Sequence, residues 1–173
     1  MNTTLVPRSK NSLSKGIEAI KNADLTPIKR KLMEPEPHGY GWTQEQAEEG
    51  EVWYKRYLTA ILTDPEMAGC VPNVAVDRFW HCHILDTAKY MEDCNNIFGF
   101  YLHHNQYVGM NGDEKVRDEM FSRTNKIFED LFGENFGSMK HFPELTPKAM
   151  CEGTACIGSG CRHHEVPAPS PAS

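Results

Sequence analysis

The chain has 173 residues, which suits one domain with tails, and 39% of them are hydrophobic, enough for a packed core. Its 18 basic and 24 acidic side chains give a net charge of −6. This argues against a broad nucleic-acid surface, which needs a basic face to neutralise phosphates. No apolar run approaches the roughly 20 residues that cross a bilayer, and none follows the first residues as in a secretory signal, so we expect a cytoplasmic protein with no membrane role.

Residues 1–41 are predicted to form an N-terminal arm that contains two short helices. The first helix covers about residues 14–21. The second begins at Thr26-Pro27, because proline suits the first turn of a helix, where no amide donor is needed. It is expected to end near Met33, before a stretch rich in proline.

Residues 42–145 are predicted to be a compact bundle of helices. Thr43 and Gln46 form the capping box that starts a long helix, and Asp64-Pro65 end it. The apolar residues between these two points recur at helical spacing. No alternating strand pattern of any length competes with the helices, so the predicted fold class is all-α.

The centre of this domain is predicted to be one continuous helix over residues 74–98. Gly99 would end it, because glycine tolerates the left-handed conformation common after a helix. At about 100° per residue, the residues expected on its inward face are Phe79, His83, Tyr90, Cys94 and Ile97. A last helix is predicted over residues 113–132.

Residues 146–173 are predicted to be a flexible tail, because Gly, Cys, Ser, Pro and His dominate there and core-forming residues are few. Cys151, Cys156 and Cys161 recur every five residues, which makes them secondary candidates for binding metal. In the cytoplasm thiols are normally reduced. The six cysteines of the chain therefore indicate free, metal-binding or reactive thiols rather than disulfides.

Four of the eight histidines lie between positions 81 and 104, and neutral imidazole is a common ligand of zinc, iron and copper. Asp77 and His81 are four residues apart, so they share one face of a helix. His83 is rotated by about 200° from His81 and cannot easily join the same ion. One candidate site therefore combines Asp77 and His81 with His103 or His104.

A second candidate site places His83 and Cys94 at a pocket that another histidine completes. Asp77 could also act as a hydrogen-bond acceptor that orients His81, and the spacing does not choose among these arrangements. The structural alternative makes His83 a core residue whose ring nitrogens are both hydrogen-bonded. Cys82 and Cys94 would then be small buried thiols.

The central segment contains Val-Asp-x-x-Trp-His-x-His, followed by a Tyr, an Asp-Cys pair, a Gly and a Leu-x-His. The residues of this pattern are Val76, Asp77, Trp80, His81, His83, Tyr90, Asp93, Cys94, Gly99, Leu102 and His104. The pattern resembles the signature of the glycine-rich domain-containing protein-like family of bacteria, fungi and plants. The resemblance covers about residues 52–161. It implies a helical domain with the Trp-His-x-His region as its hallmark, and it implies no particular reaction.

Three hypotheses for the function remain open. The first is a metal-binding protein, of the kind that includes metalloenzymes, with zinc, iron or copper held by Asp77, His81, His83 and His104. His103, Cys94 and the tail cysteines are its secondary ligands. The second is a non-enzymatic module that binds a protein or a small molecule, in which the Trp-His-x-His segment is structural. The third places soft-metal binding or thiol modification in the tail alone, at Cys151, Cys156, Cys161, His163 and His164.

Overall fold

The computed structural model describes residues 10–64, 67, 70–105, 107–108 and 114–144. This part of the chain contains six α-helices and no β-strand, which confirms the predicted all-α class. The helices are α1 (Lys10–Asn22), α2 (Thr26–Met33), α3 (Gln44–Thr63), α4 (Val74–Leu85), α5 (Thr87–Phe98) and α6 (Glu114–Phe132). A single 3-10 turn, Phe136–Ser138, follows α6. No helix among these residues is long and apolar enough to cross a membrane.

The two N-terminal helices are packed into the same hydrophobic core as the rest of the bundle. Helix α1 lies against α3 and α5, and α2 lies against α3 and α4. The buried residues of these two helices and the turn between them include Ile20, Leu25, Ile28 and Leu32. Gly16 permits the close approach of α1, because a β-carbon there would lie 2.6 Å from the carbonyl oxygen of Ile97. The packing thus extends across the boundary predicted at residue 41.

Helix α3 begins with the predicted capping box. The Thr43 hydroxyl accepts a hydrogen bond from the Gln46 amide at 3.2 Å, and the Gln46 side chain accepts one from the Thr43 amide at 2.9 Å. Further along, α3 buries a row of large residues that face the other helices: Trp53, Tyr54, Tyr57 and Leu58. Helix α3 is therefore the central support against which the site-bearing helix α4 packs.

The prediction of one continuous helix over residues 74–98 is wrong, because the helix is interrupted at Asp86. Asp86 has φ −82° and ψ 72°, outside the helical region. Its amide donates to the carbonyl of His83 at 3.1 Å and ends α4. Its own carbonyl accepts from the amide of Tyr90 at 2.8 Å and starts α5.

Side-chain contacts between α4 and α5 explain why the break is stable. Residues ten positions apart on one straight helix would be separated by about 15 Å along its axis. Here His83 Nε2 lies 3.0 Å from Asp93 Oδ2, although these residues are ten apart. Trp80 Nε1 likewise donates to the hydroxyl of Tyr90 at 2.8 Å. The change of direction at Asp86 thus replaces a few helical hydrogen bonds with buried contacts between two shorter helices.

Helix α6 and the turn after it close the other side of the core. The rings of Trp53 and Phe128 are stacked, with centroids 5.9 Å apart, and Phe136 packs against both. The Thr124 hydroxyl donates to the carbonyl of Val71 at 2.8 Å, which ties α6 to the loop before α4. The described core extends as far as Phe142, which is buried.

Candidate metal centre

The start of α4 holds a carboxylate that is largely shielded from solvent. Asn73 caps the helix by accepting a hydrogen bond from the amide of Val76 at 2.9 Å. Asp77 follows in the first turn, and only 8% of it is exposed. The partial positive charge at a helix N-terminus favours a carboxylate at this position. The Asp77 side chain therefore lies at a fixed place at the start of α4.

His81 stands one turn further along α4, on the same face as Asp77, as its spacing predicts. Its Nε2 atom lies 3.7 Å from Asp77 Oδ2. Burial lowers the pKa of His81, the Asp77 carboxylate opposes this shift, and the neighbouring His104 reinforces it. The lowered pKa favours the neutral imidazole, which is the form that binds metal ions.

The structure distinguishes between the two adjacent histidines that follow α5. His104 Nε2 lies 2.8 Å from Asp77 Oδ1, and its ring packs 4.4 Å from the ring of Trp80. The rings of His104 and His81 are 4.6 Å apart. His103 is exposed and contacts Tyr101 instead. His104 is thus the histidine that joins the Asp77–His81 pair.

Asp77, His81 and His104 form a group that could hold a metal ion, since each offers one ligand atom and all three atoms lie within 4.8 Å of one another. Ligand atoms around a tetrahedral zinc ion, with bonds of about 2.0–2.1 Å, are roughly 3.3 Å apart. The two distances from the Asp77 carboxylate, 2.8 and 3.7 Å, lie on either side of this value. The side chains would therefore have to shift to bring all three ligand atoms, which lie within 4.8 Å of one another, to this separation around an ion.

His83 lies in a different cluster, away from that group. Its Nδ1 atom is 3.0 Å from the hydroxyl of Tyr54, and its Nε2 atom is 3.0 Å from the carboxylate of Asp93. Only 1% of His83 is exposed. Because both ring nitrogens have hydrogen-bond partners, the geometry matches the structural alternative for this residue.

The cysteine candidates are placed less favourably for metal binding. Burial raises the pKa of the Cys94 thiol and raises that of Cys82 to about 11, so both are protonated at neutral pH. The thiolate is the form that binds metal. Cys151, Cys156 and Cys161 lie outside the residues that the structure describes.

Sequence reasoning missed the groups that support the candidate histidines and Leu102 near them. Tyr54 supports His83 from 29 residues away on another helix. The hydroxyl of Tyr90 accepts a hydrogen bond from Trp80 Nε1 and donates one to the carbonyl of Leu102 at 2.6 Å. The available signal was the Trp, Tyr and Leu of the family signature, Trp80, Tyr90 and Leu102.

Comparisons with known proteins place these residues in a family. Residues 17–129 match the family model described as UCP032817-like. The chain belongs to this family. It is also similar to two proteins of Arabidopsis thaliana, glycine-rich domain-containing protein 1 and glycine-rich domain-containing protein 2. These matches confirm the resemblance that the signature indicated.

The similarity to the two Arabidopsis proteins is partial. The first is 33% identical over 86 residues, which cover 48% of this chain and 10% of that protein. The second is 29% identical over 114 residues, which cover 60% of this chain and 14% of that protein. The chain thus spans a small part of the length of either relative. No solved structure matches the chain significantly.

Proposed function

We propose that the chain is a metal-binding protein whose centre consists of Asp77, His81 and His104. The observation that supports this most directly is the convergence of three ligand atoms within 4.8 Å from two separate segments, α4 and the segment after α5. Two imidazoles and one carboxylate form a donor set that suits zinc and iron(II), and imidazole also suits copper. We therefore propose zinc, iron or copper as the ion.

The three proposed ligands would leave coordination positions on the ion open. Three protein ligands leave one position open in a tetrahedral zinc site, and more in an octahedral iron site. The His81 side chain is 24% exposed, so the centre lies near solvent rather than in a closed structural site. A bound ion with an open position can polarise a substrate or activate water. We accordingly propose, more specifically, that the protein is a metalloenzyme.

Elemental analysis of the untagged, full-length protein by plasma mass spectrometry tests the proposal. We expect about one equivalent of one transition metal after purification without chelators, or after reconstitution. His81→Ala and His104→Ala should each lose this metal, because each removes one of three ligands. Metal retained in both variants would refute this centre.

Two other histidines provide matched controls. His38→Ala changes an exposed loop residue and should leave the metal content unchanged. His103→Ala removes the immediate neighbour of His104, which the structure leaves exposed, and should also retain the metal. Loss of metal in His103→Ala but not in His104→Ala would reverse the assignment of these two residues.

A second candidate function is a non-enzymatic module that binds a protein or a small molecule. It is favoured by the 2.8 Å hydrogen bond between His104 and Asp77, which satisfies both groups without any ion. In this case the reconstituted protein would contain no metal. His104→Ala would then lower the melting temperature of a protein that never held an ion.

A further inference from the structure

Residues 100–105, here called the strap, carry His104 back from the end of α5 to α4. The strap begins after Gly99, whose φ of 72° lies in the left-handed region that favours glycine. Tyr101, His103 and Asn105 are exposed, whereas Leu102 and His104 are partly buried. Such alternation is the pattern of an extended segment with one face against the protein. The strap is not helical, so the backbone hydrogen bonds of a helix do not fix its position. Its position depends on contacts with side chains.

The principal anchor is the hydroxyl of Tyr90, a residue of α5 that is 1% exposed. It donates a hydrogen bond to the carbonyl of Leu102 at 2.6 Å, two residues before His104. It accepts another from Trp80 Nε1 at 2.8 Å. The Trp80 ring in turn packs against the ring of His104. One hydroxyl therefore contacts both the strap and the aromatic ring beside His104.

A second group on α5 contacts the backbone of the same residue, Leu102. Burial raises the pKa of the Cys94 thiol, and hydrogen bonding from the Leu102 amide opposes this rise, which places that amide beside the sulfur. Leu102 is thus contacted at its carbonyl by Tyr90 and at its amide by Cys94. Both polar groups of its backbone face α5, one turn of helix apart.

We propose that the Tyr90 hydroxyl, with support from Cys94, is a positioning group for the metal centre. By fixing Leu102 and Trp80, it sets where His104 Nε2 meets the Asp77 carboxylate. This inference rests on the proposed function. Groups that orient a metal ligand without touching the ion typically change metal affinity by about 10- to 100-fold when they are removed.

The test compares two substitutions that each remove one buried tyrosine hydroxyl. Tyr90→Phe removes the anchor of the strap, whereas Tyr54→Phe removes the partner of His83 and does not touch the strap. Cobalt(II) alone is titrated into the metal-free, full-length proteins, and its visible absorption reports both affinity and coordination geometry. We expect both variants to melt at lower temperature. Only Tyr90→Phe should bind cobalt at least about tenfold more weakly and show an altered absorption spectrum.

The other outcomes distinguish failure of the positioning role from failure of the proposed function. Equal affinity and equal spectra in the two variants would overturn the positioning role, because Tyr90 would then contribute stability alone. No saturable cobalt spectrum in the unchanged protein would overturn the proposed function itself, and this inference with it. If Tyr90→Phe does not fold, Cys94→Ala replaces it, and cobalt affinity equal to that of the unchanged protein would overturn the inference.

Discussion

His81 and His83 are two residues apart on α4, yet they belong to different clusters. A separation of two residues corresponds to a rotation of about 200° around a helix. His81 accordingly faces Asp77 and His104, while His83 faces Tyr54 of α3. The Trp-His-x-His segment therefore contains, within one turn of helix, a candidate ligand, His81, and a buried residue, His83, that links α4 to α3 and α5.

Replacement of His83 should affect stability without affecting metal. His83→Ala opens a cavity and leaves the buried Tyr54 hydroxyl and the Asp93 carboxylate without their shared partner. We expect the free energy of unfolding to fall by roughly 2–4 kcal/mol, measured by urea denaturation. The metal content should equal that of the unchanged protein. Loss of metal in a folded His83→Ala protein would contradict this separation of roles.

The cluster around His83 should also make stability depend on pH. Burial tends to raise the pKa of Asp93, but hydrogen bonds from His83 and Lys89 and their positive charges outweigh it, so the pKa is lowered. A carboxylate with a lowered pKa stabilises the fold above its unfolded pKa and loses that contribution as the pH falls through the folded pKa. The contribution of Asp93 should therefore be complete well above pH 4 and decline as the pH falls below about 4.

Asp93→Asn tests this pH dependence. The difference in unfolding free energy between the unchanged protein and Asp93→Asn should be largest near neutral pH. It should shrink as the pH falls below about 4. Glu92→Gln removes one exposed carboxylate from the same helix and is the control for a simple change of charge. A difference that stays constant down to the acid transition would contradict the assigned role of Asp93.

Sequence reasoning identified the two candidate ligands whose proximity follows from local geometry. Asp77 and His81 follow from a spacing of four on a helix. Whether His104 or His103 joins this pair depends on how the strap folds back against α4. The spacing of residues along the sequence does not determine that. The partners of His83 were missed because Tyr54 is distant in sequence and Asp93 was assigned to the same straight helix.

At the scale of helices, the break at Asp86 determines where the second half of the signature lies. It allows α5 to pack beside α4, so Tyr90 and Asp93 reach Trp80 and His83. Without it, the strap would begin about a further 18 Å along the axis of α4, the length of twelve helical residues. The proposed metal centre therefore depends on this interruption.

Proline substitution distinguishes two helices from one. Thr87 is the first residue of α5, where proline is tolerated, and Asp86 before it is already outside the helical region. We expect Thr87→Pro to change the unfolding free energy by less than about 1 kcal/mol. Glu92→Pro, in the exposed interior of α5, should cost about 3 kcal/mol or more. Equal losses for both variants in thermal and urea unfolding would indicate a continuous helix.

The sequence predicted the helix ends that have strong local signals. The Thr43–Gln46 capping box and the glycine after α5 are both present. The break at Asp86 was missed because apolar residues continue at nearly helical spacing through it, and Asp-Thr is a weak interruption signal. What stabilises the break is the contact between α4 and α5, which is tertiary.

At the scale of the whole molecule, the described core is one cluster that runs from α1 to the segment after α6. It includes Ile20 near one end and Phe142 near the other. The proposed ligands lie at its edge, on α4 and the strap. The predicted cysteine candidates of the tail begin at position 151, beyond this core.

Truncation separates the two possible locations of a metal. A chain that ends after Leu145 keeps every residue of the described core and removes Cys151, Cys156 and Cys161. We expect it to retain its helical circular dichroism spectrum and the full equivalent of metal. Loss of the metal with the helical spectrum intact would place the ion in the tail and contradict the centre on α4.

The alternation of side chains along the strap has a consequence for how the site tolerates changes of length. Because neighbouring residues over 101–105 alternate between exposed and partly buried, one inserted residue after Phe100 would exchange the inward and outward positions. The place of His104 would then be taken by His103, which is also an imidazole. One deleted residue would instead bring Asn105 to that place and remove the ligand. If His104 is a ligand as proposed, the adjacent His103 would replace it after a one-residue insertion, but no histidine would replace it after a one-residue deletion.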